Sequence, residues 1–443
     1  MTVQTLFPTK PLDCWPKMKE LRREHHRRNQ RTMDSGGVVI VGIVEQFLSL
    51  PAGLGEYATW QYEPRFTQCM RDPQEAIKNF EAIEAHGYGR DLCNSLRVHM
   101  GGVLRGRLDA ALRGRKPDFI FQWELCPFAI KTAAFVAERY GVPWITLDIV
   151  DHHRPGPVDQ RYIIDQMHEA IAEMEKVTGR RYDDERLISA LRNEWECAAL
   201  WAKTCYLTRA IPAPIDFRMC QSLRIPLILD RDKAEVVAFY RELYDEVKAR
   251  VAAGISARGR EDARLLYEGF VTFHTPPMLR WPEHYGAIFV GGRFSFNTFG
   301  VWTVHEDGRW EPATPPWERG LALRTRDDAL RALADLYLGN ETERRSAPMR
   351  SATRVEQVLR RAEDWHADGV IMGMERRCRV QFLTQMEQMA ALQAQGTPCI
   401  EFEPSSADFR EFDTAQVYSR VSAFMEGLGL QKVRLSEAPQ DDD

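Results

Sequence analysis

Apolar and polar positions alternate along this chain in blocks that change period several times. Up to about residue 35 the pattern is helical and polar. Gly36-Gly37 then opens onto Val38-Val39-Ile40-Val41-Gly42-Ile43-Val44, a β-branched run that reads as a buried strand. The segment Leu50-Pro51-Ala52-Gly53-Leu54-Gly55-Glu56 follows, a loop whose glycines let the backbone come close to a neighbour. Residues 73–86 and 90–113 have helical periodicity.

Two strand–helix–strand units come next and resemble one another. In the first, the strand Asp118–Gln122 leads to Cys126-Pro127, a helix through Tyr140, Gly141-Val142-Pro143 and the strand Trp144–Leu147. In the second, Asp368–Met372 leads to Cys378, a helix through about Gln393, Gly396-Thr397-Pro398 and the strand Cys399–Phe402. Glycine closing each helix with proline just beyond is the expected stop signal. Between these units, residues 156–254 are helical in pattern, interrupted at Pro212-Ala213-Pro214. Gly291–Pro312 is rich in glycine and aromatics and reads as a long loop or hairpin insertion.

Short apolar strands alternating with helices predict parallel sheets covered on both faces. The fold class expected is α/β: two related flavodoxin- or Rossmann-like parallel-sheet domains with a helical domain between them. The boundaries expected are 1–155, including a helical N-terminal arm, 156–260 and 261–443. A length of 443 residues fits two or three domains at about 150 residues each.

Composition narrows the class. Hydrophobic residues make up 44% and charged residues 28%, an ordinary globular balance, and the formal net charge is −5. No global basic field exists to draw in nucleic acid. The basic run Leu21–Arg28 is interleaved by Glu20 and Glu24 and reads as a solvated helix face. The apolar run at Val38 is broken by Glu45, far short of a bilayer span, and the first fifteen residues lack the layout of a secretory signal. The expectation is a cytosolic protein without membrane or nucleic-acid partners.

Nine cysteines run from Cys14 to Cys399, an odd number that cannot all pair within the chain. In an open α/β sheet, ligands gather outside the carboxyl ends of the strands. Cys126 and Cys378 fall there, each placed at or just before a helix start, where N–H groups stabilise thiolates. Cys93 lies near the start of the 90–113 helix. Two domains facing one another would bring these three together in a cleft. Position alone leaves two readings for each: a small buried hydrophobe or a metal-binding thiolate. No paired C-x-x-C occurs. Cys69, Cys197, Cys205, Cys220 and Cys399 lie inside helical, irregular or strand segments and read as structural.

At these three cysteines the chain resembles the 2-hydroxyacyl-CoA dehydratase/class I benzoyl-CoA reductase family. The residues carrying the likeness are Gly87-Tyr88-Gly89-Arg90-Asp91-Leu92-Cys93, Phe121-Gln122-Trp123-Glu124-Leu125-Cys126, and Ala367-Asp368-Gly369-Val370-Ile371-Met372 followed by Cys378. Pro11-Leu12-Asp13-Cys14-Trp15, Leu50–Tyr57 and Pro212-Ala213-Pro214-Ile215-Asp216 narrow it toward the larger cluster-bearing subunit of ATP-dependent benzoyl-CoA reductase. The likeness spans about residues 10–425. It departs after the last strand, where Glu401–Arg410 only partly matches the family's acidic and Pro-Arg stretch.

The resemblance implies a [4Fe–4S] cluster held by Cys93, Cys126 and Cys378. It implies a smaller homologous cluster subunit, an ATP-hydrolysing activator, ferredoxin as electron donor and an aromatic acyl-CoA substrate. No Gly-x-x-x-x-Gly-Lys-Ser/Thr loop is present, so ATP falls to a partner. The leading functional reading is an ATP-dependent benzoyl-CoA-type reductase, an oxidoreductase that dearomatises its substrate to a cyclic dienoyl-CoA. The alternative is a 2-hydroxyacyl-CoA dehydratase subunit, and a third is an electron relay whose substrate sits elsewhere. Secondary candidates are the Leu50–Glu56 loop, Glu124, Arg376 and Arg377 beside the cluster cysteines, and Asp151-His152-His153 as a proton donor.

Overall fold

The structure, a computed structural model, describes residues 6–42, 46–64, 66, 72–124, 126–148, 157–271, 276–296, 299–305, 308–339, 351–378 and 383–433. Helix α1 (Trp15–Asp34) comes first. It buries Met18, His25, Asn29, Thr32 and Met33, a stripe at helical spacing. Its other face carries ion pairs of Arg23, Arg27 and Arg31 with Glu20 and Glu24, so the basic run is a solvated face. His25 turns inward, with Nδ1 3.0 Å from Asp230.

The first sheet contains β1 (Val38–Val41), β2 (Tyr57–Trp60), β3 (Phe119–Glu124) and β4 (Trp144–Asp148), in the order β2-β1-β3-β4. All its neighbours are parallel. Between β2 and β3 lie α2 (Pro73–Glu84) and α3 (Asn94–Leu104), and α4 (Pro127–Tyr140) joins β3 to β4. The helical stretch expected over 90–113 is two pieces, because Gly106 turns to φ 71 ahead of a short helix over Arg107–Ala111. Val38–Val41 is buried throughout, as an apolar run in a parallel sheet requires.

Three long helices follow: α5 (Pro157–Thr178), α6 (Asp184–Tyr206) and α7 (Ala234–Ala252). The Pro212–Pro214 break falls between α6 and α7, as read from the sequence, and includes a cis Ile211–Pro212 bond. These helices supply core to both sheets. Met167, Met174 and Trp195 pack with Ile40, Phe121 and Leu147, whereas Trp201, Phe239 and Leu243 pack with Leu266, Val290 and Val370.

The second sheet contains β5 (Ala263–Gly269), β6 (Ala287–Gly291), β9 (Gly369–Gly373) and β10 (Cys399–Phe402), ordered β10-β9-β5-β6 and again parallel. Strands β7 (Trp302–Val304) and β8 (Trp310–Pro312) form the antiparallel hairpin anticipated in the Gly- and aromatic-rich insertion. Helices α8 (Arg326–Ala334), α9 (Ser351–Asp364), α10 (Gln385–Ala394) and α11 (Thr414–Gly427) complete the chain. Taken in their own chain order, the two sheets share one arrangement, second-first-third-fourth, which is the flavodoxin-like beginning. The expected α/β class with two related parallel sheets is therefore present.

Where the order reverses, between the first and third strands, an α/β sheet opens a crevice at its carboxyl edge. In the second sheet that edge is cut back to bare backbone. Gly269 has φ +89, and a Cβ there would lie 2.2 Å from the Gly373 carbonyl oxygen. A Cβ on Gly373 would lie 2.0 Å from the Phe270 carbonyl oxygen. Only glycine fits both places. Among the described residues no helix is long and apolar enough to cross a membrane.

Candidate functional site

Cys126 sits just past the carboxyl end of β3, and Cys378 occupies the same place after β9. Each follows the third strand of its sheet, so the repeated topology itself sets two cysteines at equivalent crevices. Cys126 is the residue before α4, extended at φ −162 and ψ 163, with Pro127 as the first helical residue. Proline there forfeits an N–H that would have no intrahelical partner. Cys93 stands before α3 in the same way, at φ −49 and ψ 128. The N–H groups of Ser95 and Leu96 face the Cys93 sulfur and those of Phe128 and Ala129 face the Cys126 sulfur, lowering both thiol pKa values without forming a closed side-chain cap. Burial outweighs this: it raises Cys126 and pushes Cys93 up to about 11.

Cys93 and Cys126 lie near one another. A charge on Cys126 reaches Cys93, as does that of Glu375. Cys93 packs with Leu96, Met100 and Phe128. The Cys378 turn is fastened to the same place by Arg377, whose Nε donates to the Arg90 carbonyl oxygen at 2.6 Å. Arg377 also pairs with Glu411, and its Nη1 lies 3.8 Å from Glu375. Segments from opposite ends of the chain thus meet at the junction of the two sheets.

Exposure sorts the cysteines. Cys93, Cys126 and Cys378 are half-buried, whereas Cys14, Cys197, Cys205 and Cys220 are buried. Burial drives Cys197 and Cys205 far above the ordinary thiol range, which suits inert core residues. Cys399 is half-buried within β10, its thiol 3.7 Å from the Met389 carbonyl oxygen. Cys69 lies outside the described residues.

Among the described residues no group of three or more His, Cys, Asp or Glu side chains is arranged around a single metal ion. An iron–sulfur cube spreads its thiolates more widely than one ion does. Three half-buried thiols, two of them facing helix N–H groups, fit such a group by donor chemistry.

The remaining sequence candidates have surroundings of their own. Cys378 closes a turn, its N–H donating to the Glu375 carbonyl oxygen at 2.9 Å, and the helix start expected just after it lies outside the described residues. The glycine of the Leu50–Glu56 loop approaches Tyr182, where a Cβ on Gly53 would lie 2.3 Å from the ring. Tyr182 donates from its hydroxyl to Leu50 at 2.6 Å, so this loop is core packing. Glu124 accepts from Thr146 at 3.2 Å, and Arg376 is exposed beside Glu403 at 3.2 Å. Leu125 and Asp151-His152-His153 lie outside the described residues.

Three features carried no sequence signal. Glu375 is buried between the Cys93 and Cys378 segments, its carboxylate accepting from Asn94 at 3.5 Å and its carbonyl oxygen from the Cys378 N–H at 2.9 Å. Arg97 is fully buried and pairs with Glu84 and with Asp408 at 3.3 Å, while Arg410 closes onto the same two carboxylates, clamping α2 and α3 to the second sheet's last loop. His99 lies near-parallel to Phe66 and Phe128, with ring centroids 4.4 and 5.8 Å away. Its Nδ1 accepts the Glu63 N–H at 3.0 Å, leaving its proton on Nε2, and burial lowers its pKa to about 3. A cavity of about 490 Å³ lies beyond Arg376, lined by Glu401, Glu403, Glu411 and Asp413 against Arg376 and Arg420, an acidic surround that disfavours phosphate.

Fold and crevice together define a two-sheet α/β protein with cysteines at the carboxyl edges. This chain belongs to the family described as 2-hydroxyglutaryl-CoA dehydratase, D-component, whose model matches residues 68–428. It is 24% identical over 358 residues to the (R)-2-hydroxyisocaproyl-CoA dehydratase alpha subunit of Clostridioides difficile, covering 80% of this chain and 81% of that one. It is 22% identical over 373 residues to the lactoyl-CoA dehydratase subunit alpha of Anaerotignum propionicum, covering 79% and 82%. The (R)-phenyllactyl-CoA dehydratase alpha subunit of Clostridium sporogenes is 22% identical over 360 residues, covering 80% of each. These relatives are named as dehydratase subunits, and none of the three is named as a benzoyl-CoA reductase.

Proposed function

We propose that this chain is the alpha-type subunit of a 2-hydroxyacyl-CoA dehydratase, a lyase, with a [4Fe–4S] cluster on Cys93, Cys126 and Cys378. The observation that carries this reading is the Arg377–Arg90 contact, which seats the Cys378 turn of one sheet against the Cys93 segment of the other. The alternative function read from the sequence is the one the named relatives favour. The phrases that pointed to benzoyl-CoA reductase have packing roles here. Cys14 is buried with its N–H on Glu246, Gly53 lies under Tyr182, and Asp216 starts a helix and pairs with Arg258.

When bound, such a cluster supplies low-potential one-electron chemistry. The chain's own residues prepare the place for it. Helix N-termini at Cys93 and Cys126 aim N–H groups at negative sulfur. Phe66, Phe128 and His99 form an apolar wall that excludes water. Arg377 holds the two halves together. By analogy with relatives named as alpha subunits, the chain pairs with a second subunit; an ATP-hydrolysing activator fed by ferredoxin is what the sequence resemblance implies as the electron source.

Electron stoichiometry tests the assignment. With its neighbouring subunit and activator, under anaerobic conditions, a dehydratase forms many enoyl-CoA products for each electron injected. Consumption of an electron pair for every product, with an aromatic thioester as substrate, would replace this reading with a reductase.

A further inference from the structure

Reduction adds one negative charge to an iron–sulfur site, and the charge that the protein keeps beside it helps decide how hard that is. Glu375 joins two of the cysteine-bearing segments. Its carbonyl oxygen accepts the Cys378 N–H at 2.9 Å, so the two residues share one turn. Its Oε2 accepts from the Ser406 N–H at 2.7 Å and, at 3.5 Å, from Nδ2 of Asn94, the residue after Cys93. Its charge reaches Cys93 and works against a thiolate there.

That charge is poorly matched. Glu375 is 2% exposed, and among the described residues Oε1 has no hydrogen-bond partner. Arg377 Nη1, at 3.8 Å, is too distant for one, and its guanidinium is already engaged by Glu411 and the Arg90 carbonyl oxygen. Arg376, the other cation of this turn, is exposed and pairs with Glu403. Each arginine of the turn is thus taken by another carboxylate. Water screens the exposed charges, whereas a buried one acts through a less polarisable medium and is felt more strongly.

We propose that Glu375 sets the reducing power of this site: its buried charge opposes the electron that the cluster takes up, and so makes the reduced cluster a stronger one-electron donor. The inference rests on the cluster reading above. Glu375 acts through its charge, with no contact to the substrate required.

The test is the midpoint potential of the anaerobically reconstituted full chain. Dithionite supplies one electron per cluster, and the electron paramagnetic resonance signal of the reduced cluster reports the fraction reduced. Glu375→Gln keeps an oxygen for Asn94 and Ser406 and removes the charge. It should make reduction easier by about 10-fold or more, a rise of about 59 mV for one electron. Glu375→Asp, which keeps the charge, should titrate at the wild-type potential. So should Glu401→Gln, a β10 carboxylate paired with Arg420. A wild-type potential in Glu375→Gln at full iron content would overturn the proposal and leave the three-cysteine site standing. A rise in Glu375→Asp equal to that in Glu375→Gln would trace the effect to packing and overturn it too. Where Glu375→Gln holds no iron, Glu375→Ala is read in its place. If neither neutral variant holds iron and Glu375→Asp does, the carboxylate is structural and the proposal falls. A wild-type chain that takes up no iron would remove the cluster reading, and this inference with it.

Discussion

His99 illustrates how much a single residue's chemistry depends on what surrounds it. An exposed imidazole titrates near 6.5, yet this ring is buried, lies along two phenylalanines and has its pKa lowered to about 3. Below pH 6.5 the unfolded chain binds a proton that the folded ring refuses until about pH 3. Protons therefore favour unfolding, and stability falls as pH falls through that window. The expected loss is up to about 1.4 kcal/mol per pH unit from this ring. His99→Gln keeps an acceptor for the Glu63 N–H and removes the titration. Chemical unfolding at pH 7 and pH 5 should show a shallower pH slope for the variant; equal slopes would contradict this account of the ring.

Nothing in the sequence distinguished His99 from any other histidine on an amphipathic helix, because its neutrality comes from Phe66, Phe128 and Glu63, which lie on separate segments. Glu375 was hidden for the same reason, its significance depending on Asn94 and Ser406. Cys126 was legible because its cues are local: a buried apolar strand, then Cys-Pro, then a helix. Cys378 shares the preceding buried strand, and the residues that follow it lie outside the described ones.

At the scale of elements, the approach of α2 and α3 fixes where Cys93 stands. A Cβ on Gly101 of α3 would lie 2.0 Å from the Asn79 carbonyl oxygen of α2. That oxygen belongs to a rigid backbone. Asn79 Nδ2 is itself held by Glu63 at 3.0 Å and by the Val98 carbonyl oxygen at 3.1 Å. Alanine gains about 1 kcal/mol in helix propensity, but overpacking of this kind costs about 1–3 kcal/mol and displaces the helix. Gly101→Ala should therefore destabilise the chain and lower its iron content, measured by thermal unfolding and metal analysis. Gly427→Ala, at the end of α11 with nothing within 4 Å of its Cβ, should change stability by no more than about 0.5 kcal/mol. Equal effects at the two positions would refute the argument. The strands and most helices could be read from periodicity. The close packing of α2 on α3 could not, since a glycine pair inside a helical pattern does not name its neighbour.

Across the whole molecule, one strand order used twice gives two crevices, and the cysteines divide unequally between them. Cys126 and Cys378 follow matching third strands. Cys93 has no counterpart, since no cysteine lies between β6 and β9. Two thiols from one sheet and one from the other need a rigid junction, and the junction is built from charge. Arg97, Glu84, Asp408 and Arg410 form it with little or no exposure, and breaking such a buried pair costs about 3–5 kcal/mol. The doubled α/β architecture was visible in the repeated strand–helix–strand pattern. The clamp was not, because it joins residues from opposite ends of the chain.

The most direct measurement is the iron content and charge-transfer absorption of the anaerobically reconstituted chain and four serine variants. The wild type should hold about four irons. Cys93→Ser, Cys126→Ser and Cys378→Ser should each lose most of the absorption, while Cys197→Ser, deep among core residues, should keep it. Loss in Cys197→Ser as severe as in Cys126→Ser, or full retention in Cys378→Ser, would contradict the three-cysteine site.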